Sequence, residues 1–152
     1  YGGSAEIMAH VAPDGPVYQA GTLSANPVAM AAGIAVLKQL LQPDFYTDMN
    51  VKTAAFCSII QAHIDQKGYP MHIVQIGSIF WFAMSETRIF SADQIDADKM
   101  ELFKIMHHEL LQNNIYLGPS GYEVGFISAA HSPADLADAA IKINRAIDKA
   151  FA

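Results

Sequence analysis

Gly21, Thr22, Ser24 and Asn26 stand close together, directly ahead of Pro27 and an apolar run that reaches Leu41. Gly and Ser make turns, Asn is a good helix N-cap and Pro a good first helical residue. A loop of this kind carries two hydroxyls and several backbone N–H groups to the start of a helix. The partial positive charge there favours a phosphate or carboxylate. The same residue types also precede capped helices that bind nothing, so the spacing leaves both readings open.

Other side chains with chemistry are scattered. Tyr18 lies shortly before the loop and combines an apolar ring with a polar tip. Glu123 sits between Gly118-Pro119-Ser120-Gly121 and the apolar stretch Val124 to Ser128, where an isolated glutamate is ordinarily solvated. His107 and His108 are adjacent on a helical pattern and point to different faces. His10, His63, His72 and His131 have no ligand spacing, so no metal is expected. Cys57 is the single cysteine, lies among Phe56, Ile59 and Ile60, and is expected to be a buried thiol that forms no internal disulfide.

The elements that must position these groups can be read in chain order. Ser4 to His10 gives a helical turn or two, and Pro13, Gly15 and Pro16 mark turns. Val28 to Leu41 is apolar nearly all round and rich in small residues, which predicts a helix buried between layers and ended by Gln42-Pro43. Asp44 to Lys67 places Phe45, Met49, Phe56, Ile59, Ile60 and Ile64 at helical spacing, with Gly68 as its stop. His72 to Met84 is β-branched and aromatic and reads as two strands meeting at Gly77-Ser78.

A further helix is expected from Asp96, with Met100, Phe103, Met106, Leu110 and Leu111 facing inward and Asn113-Asn114 at its end. Ile115 to Leu117 and Val124 to Ser128 read as short strands. Ser132-Pro133-Ala134-Asp135 forms a capping box ahead of a last helix whose inner face is Leu136, Ala140, Ile143, Ile147 and Phe151. Strands and helices in this order do not alternate regularly. They predict an α+β fold with a small, mostly antiparallel sheet covered on one face by helices. The expected division is residues 1–42, ending in the long linking helix, and residues 43–152.

The composition sets bounds on function. With 152 residues, of which 52% are hydrophobic and 16% charged, the chain has enough apolar content for a sizeable core. Its formal charge of -6 and its scattered Lys and Arg argue against nucleic acid or an anionic membrane as partner. No apolar run approaches the roughly 18 residues of a membrane span. There is no signal-peptide pattern, and the single cysteine fits a cytoplasmic setting.

Two long stretches resemble a known family. VAPDGPVYQAGTLSANPVAMAAG, from Val11 to Gly33, and IYLGPSGYEVGFISAAHSPAD, from Ile115 to Asp135, are similar in content and order to segments of the glutamate-1-semialdehyde 2,1-aminomutases, within the class III pyridoxal-phosphate aminotransferases. The resemblance implies a fold-type I enzyme, of which residues 1–42 would close the large domain and residues 43–152 form the C-terminal small domain. It implies pyridoxal 5'-phosphate as cofactor, a homodimer with a shared active site, a small-molecule substrate and a place in tetrapyrrole synthesis.

By the same resemblance Gly21 and Thr22 would bind the cofactor phosphate of the partner subunit, while Tyr18 and Glu123 would line the substrate pocket. Many class III aminotransferases hold a substrate carboxylate with an arginine shortly before the Pro-Ser pair, where this chain has Tyr116-Leu117-Gly118. Its only arginines are Arg88 and Arg145, which favours an aminomutase over an ω-aminotransferase. Ala25 and Gly121-Tyr122 depart from the family pattern: Ala25 is expected to restrict the phosphate loop, and Gly121 to loosen the turn that aims Glu123. No lysine here matches the one that holds the cofactor. That lysine is expected upstream of Tyr1, so that this stretch is an inactive fragment with no catalytic residue of its own. A class III transaminase and a non-catalytic dimerisation or ligand-binding module are the alternatives.

Overall fold

The computed structural model describes all 152 residues, which form two compact units, Tyr1–Gln42 and Pro43–Ala152.

In the first unit Ser4 caps the short helix α1 (Ala5–Met8), its hydroxyl accepting from the Ile7 N–H. The chain then closes on itself, with the Ala12 N–H donating to the Val17 carbonyl and the Val17 N–H to that of His10, both at 2.9 Å. Helix α2 (Pro27–Leu40) follows, its N-terminus capped by Asn26 with Pro27 as first residue. The expected burial of this helix is not found. No residue of α2 is buried, and Val28 at its start and Leu41 just beyond its end are 78% and 81% exposed. The only other helix of this unit is a single turn, too small to cover a helix that is apolar all round.

The second unit is built on α3 (Phe45–Lys67), α4 (Met100–Gln112) and α5 (Pro133–Ala150). Helix α3 ends at Gly68, whose φ of 68° is the left-handed conformation that glycine adopts without strain. Met49, Phe56, Cys57, Ile60 and Ile64 of α3 are buried, as is Thr53, whose hydroxyl donates to the Met49 carbonyl at 2.8 Å. Ile59 is exposed, contrary to expectation, because at 100° per residue it lies about a quarter-turn or more from the line through Met49, Phe56 and Ile60. Burial pushes the Cys57 thiol up to about 11, so it stays protonated.

Strands β1 (His72–Ile76) and β2 (Ile79–Ala83) form a hairpin with Ile76 opposite Ile79 and Gly77, at φ 56°, in the two-residue loop. Strand β3 (Gly125–Phe126) pairs antiparallel with β2, giving the order β1-β2-β3. Phe80 and Phe82 of β2 enter the core, and α3 packs on β1 and β2. Of the two short strands expected near the C-terminus, only the second forms, and over two residues. Ile115 to Leu117 pairs with no strand: the Leu117 carbonyl instead faces His107 Nε2 of α4 at 3.2 Å.

Two short 3-10 turns, Ala92–Gln94 and Ala97–Lys99, precede α4. Asp96 caps the second of them and not α4, its carboxylate accepting from the Asp98 N–H at 3.0 Å. Met100, Phe103, Met106 and Leu110 face inward, whereas Leu111 is exposed because it lies about 100° round the helix from Leu110. Helix α5 packs on both α3 and α4 and buries Ala140, Ile143 and Ile147, with Leu136 and Phe151 at the core margin. Its start is the expected capping box. The Ser132 hydroxyl and N–H hold the Asp135 carboxyl below its ordinary range.

A polar cluster ties the far end of α5 to α3. Asp148 Oδ1 accepts from His63 Nε2 at 2.8 Å and from the Tyr69 hydroxyl at 2.9 Å. Burial alone would raise the Asp148 carboxyl, but these two hydrogen bonds and the His63 and Lys67 charges hold it below its ordinary 3.8. A depressed folded value stabilises the fold above the unfolded value and ceases to do so as pH falls through the folded one. Because more than a third of the Asp148 side chain is open to water, the effect is modest. Asp148→Asn should therefore cost about 1 kcal/mol at neutral pH in urea unfolding, and distinctly less near about pH 3.

Candidate functional site

The Gly21 loop is shaped by two consecutive turns. The Ser24 N–H donates to the Gly21 carbonyl at 2.9 Å, and the Asn26 N–H to that of Leu23 at 3.1 Å. A side chain at Gly21 would meet the exposed Ser24 hydroxyl, which would have to turn aside for the turn to close. Ala25 has φ 55°, a left-handed conformation that an L residue adopts only with strain. The expected restriction at this position is thus a strained residue. Ala25→Gly should raise the stability of the Tyr1–Gln42 unit by up to about 1 kcal/mol, read as slower amide exchange at Asn26 and Val28.

The helix start is less open to an anion than its residue types imply. Asn26 Oδ1 accepts from the N–H groups of Val28 and Ala29 at 3.1 and 3.2 Å, Met30 donates to the Asn26 carbonyl, and Pro27 has no N–H. The first turn of α2 is therefore already satisfied. What remains for a ligand is the loop itself. Thr22 is exposed, and the N–H groups of Thr22 and Leu23 donate to no backbone carbonyl. Tyr18 is 82% exposed, earlier in the same unit.

Glu123 belongs to the Pro43–Ala152 unit. Its N–H donates to the Ser120 carbonyl at 3.0 Å, closing the turn Ser120–Glu123, and its side chain is exposed. The carboxylate folds back over Gly118: a Cβ on Gly118 would collide with Glu123 Oε2 and Cδ. Gly118 thus makes the seat that Glu123 occupies. Together with Tyr116, Leu117, Phe126 and His131, these two residues line a cavity of about 420 Å³.

Gly121 does not loosen this turn, as its lack of a side chain leads one to expect. It is buried against Met100 and Phe103, and its carbonyl accepts from Trp81 Nε1 at 2.7 Å, which fixes the turn to β2. Lys52 of α3, which sequence reasoning missed, donates to the carbonyls of His131 and Ala129 at 3.0 and 3.4 Å and so holds the loop that bears His131. No spacing in the sequence connects residues so far apart. His107 and His108 have separate partners, and no three His, Cys, Asp or Glu side chains converge. No helix is long and apolar enough to cross a membrane. Gly21, Thr22 and Tyr18 thus belong to one unit and Glu123 to the other.

No family model matches the sequence. Among solved structures, the chain is similar to an ω-transaminase from Sphaerobacter thermophilus, with TM-score 0.73 and 22% identity over 99% of this chain and 35% of that one. A β-phenylalanine aminotransferase from Variovorax paradoxus gives TM-score 0.72 and 26% identity, over 97% and 34%. A glutamate-1-semialdehyde aminomutase from Pseudomonas aeruginosa PAO1, also solved in complex with PMP, gives TM-score 0.69 and 18% identity, over 95% and 33%. The chain spans about a third of the length of each of these proteins. Its fold is that of the C-terminal part of the fold-type I aminotransferases.

Proposed function

We propose that this chain is the C-terminal portion of a class III pyridoxal-phosphate enzyme, and within that class of an aminomutase converting glutamate 1-semialdehyde to 5-aminolevulinate. Residues 1–42 would complete its large domain and residues 43–152 form its small domain, in a cytoplasmic homodimer. The observation that carries the aminomutase reading is the Glu123 seat. Where many class III transaminases hold a substrate carboxylate with an arginine, this chain has Gly118 with the Glu123 carboxylate folded over it. Arg88 lines a different cavity, beside β1, and Arg145 is an exposed residue of α5. An anion here repels a second carboxylate and favours a substrate amino group.

The cofactor, when bound, supplies an electron sink for carbon–nitrogen exchange. Two features of this chain fit it. The Thr22 hydroxyl and the Thr22 and Leu23 N–H groups are suited to a phosphate, and Gly21 leaves room beside them for the Ser24 hydroxyl. Thr22 would serve the partner subunit's cofactor, making the site a product of the dimer. Tyr18 and Glu123 would position the substrate, with Glu123 holding an amino group by a charge-assisted hydrogen bond.

A second reading is a class III transaminase using two separate substrates. It is favoured by the higher identities to the ω-transaminase and the β-phenylalanine aminotransferase than to the aminomutase. The complete polypeptide that contains this chain, loaded with pyridoxal phosphate, decides between them. Formation of 5-aminolevulinate from glutamate 1-semialdehyde with no added keto acid supports the aminomutase. Turnover only with a keto acid establishes the transaminase, and failure to bind the cofactor sinks both.

A further inference from the structure

The cavity that contains Glu123 has a second polar group whose chemistry the fold determines. His131 is half-buried in its wall. The ring is locked into its own turn: the His131 N–H donates to the Ser128 carbonyl at 3.2 Å, and the Ser128 N–H donates back to His131 Nδ1 at 3.1 Å. Helix α3 holds this turn from outside, because Lys52 Nζ donates to the His131 carbonyl at 3.0 Å. A backbone N–H can only donate, so Nδ1 is the acceptor and the ring proton sits on Nε2. That Nε2–H lies across the ring from the Ser128 contact and bonds to no group of the chain, and no ion pair joins His131 to Glu123 or Asp135. Tyr116, on the same wall, also has a free hydroxyl, but at 78% exposure nothing orients it. One cavity thus presents an acceptor, the Glu123 carboxylate seated on Gly118, and an oriented donor, His131 Nε2–H.

We propose that His131 is a specificity-determining residue, whose Nε2–H donates to the carbonyl oxygen of a substrate while Glu123 holds its amino group, so that the pair selects compounds with an amino group and a carbonyl on neighbouring carbons. The inference rests on the aminomutase reading and deepens it. Glutamate 1-semialdehyde is an aldehyde with its amino group on the next carbon, and 5-aminolevulinate a ketone with the same adjacency, so one donor and one acceptor serve both ends of the reaction. A carboxylate in the place of the carbonyl would be repelled by Glu123 and would call for a cation, whereas a single imidazole N–H suits a carbonyl. An amine and a keto acid, taken in turn by a transaminase, never offer both groups in one molecule.

Three variants of the complete polypeptide, loaded with pyridoxal phosphate and assayed with glutamate 1-semialdehyde, separate recognition from support of the turn. His131→Gln restores an N–H donor near the place of Nε2 and gives Ser128 no acceptor at the place of Nδ1. His131→Asn does the opposite: its amide oxygen can keep the Ser128 bond, and nothing reaches the place of Nε2. His131→Ala does neither. KM should rise at least about tenfold in the Asn and Ala enzymes, with kcat changed less than about threefold, while the Gln enzyme stays within about threefold of the parent. A residue that only shapes the turn predicts the reverse order, with Asn active and Gln impaired. That reverse order, three equal losses, losses confined to kcat or three unaffected enzymes would overturn the proposal and leave the aminomutase reading standing. A parent enzyme that forms no 5-aminolevulinate removes the reading itself and the proposal with it. Nitrogen NMR of the 152-residue chain in mildly alkaline solution gives a readout independent of turnover. The His131 ring should carry its proton on Nε2, and a proton on Nδ1 would overturn the proposal whatever the enzyme does.

Discussion

Gly125→Ala is expected to destabilise the Pro43–Ala152 unit by about 3 kcal/mol or to prevent its folding. A Cβ at Gly125 would collide with Cζ, Cε1 and Cε2 of the Phe80 ring. An exposed ring could turn aside, but Phe80 is 3% exposed and packs edge-on against both Phe56, at 5.6 Å between centroids, and Phe82, at 5.5 Å. Moving it would disturb the aromatic centre of the sheet and the α3 face beneath. Moving Gly125 instead would break the pairing of β3 with β2, which consists of only two residue pairs. Urea unfolding followed by near-UV circular dichroism tests this directly. A loss below about 1 kcal/mol would mean that β3 does not sit on Phe80 as described. Phe80→Leu combined with Gly125→Ala should recover part of the loss, because the smaller side chain vacates the space that the new methyl needs.

That contact could not be read from the sequence, and the reason is general for this chain. Signals that act within four residues were legible: Asn26-Pro27, the capping box at Ser132 to Asp135, the Gly68 stop and the Gly77-Ser78 hairpin all stand where their chemistry places them. Each is decided by a side chain and the backbone beside it. The inner faces of α3 and α4 were legible except at Ile59 and Leu111, whose residue types fit a core but whose angle round the helix does not. Ile115 to Leu117 has the composition of a strand but no neighbour to pair with, and composition carries no information about neighbours.

The site divides the same way. The turns that hold Gly21 and Thr22 are local, and their residue types announce them. That Asn26 would satisfy the first N–H groups of α2 is also local, a consequence of the same N-cap that marks the helix, and it leaves the N–H groups of the loop, those of Thr22 and Leu23 among them, as donors. Gly118 and Gly121 instead have their meaning from what crosses them: the Glu123 carboxylate in one case, Met100, Phe103 and the Trp81 hydrogen bond in the other. A glycine in a turn can serve backbone freedom or close approach, and only coordinates distinguish the two. Gly121 serves close approach, so the turn that bears Glu123 is pinned to α4 and β2 at that residue.

In the complete enzyme proposed above, Gly118→Ala is expected to lower kcat/KM about 100-fold without unfolding the protein, matching Glu123→Gln. The backbone at Gly118 does not require positive φ, so alanine is conformationally acceptable there. The new methyl nonetheless takes the place of the Glu123 carboxylate, which must swing into solvent. Because Glu123 is exposed, it has somewhere to go, and the cost to stability should stay below about 1 kcal/mol. The function lost is the orientation of the carboxylate toward the substrate amino group. A double-mutant cycle separates this from general damage to the turn. If Gly118 acts only by seating Glu123, then adding Gly118→Ala to Glu123→Gln costs almost nothing further, since the seat of an uncharged, already ineffective side chain no longer matters. Two losses that multiply would mean that the methyl acts on some other group, and an unaffected Gly118→Ala enzyme would remove Glu123 from the substrate pocket altogether.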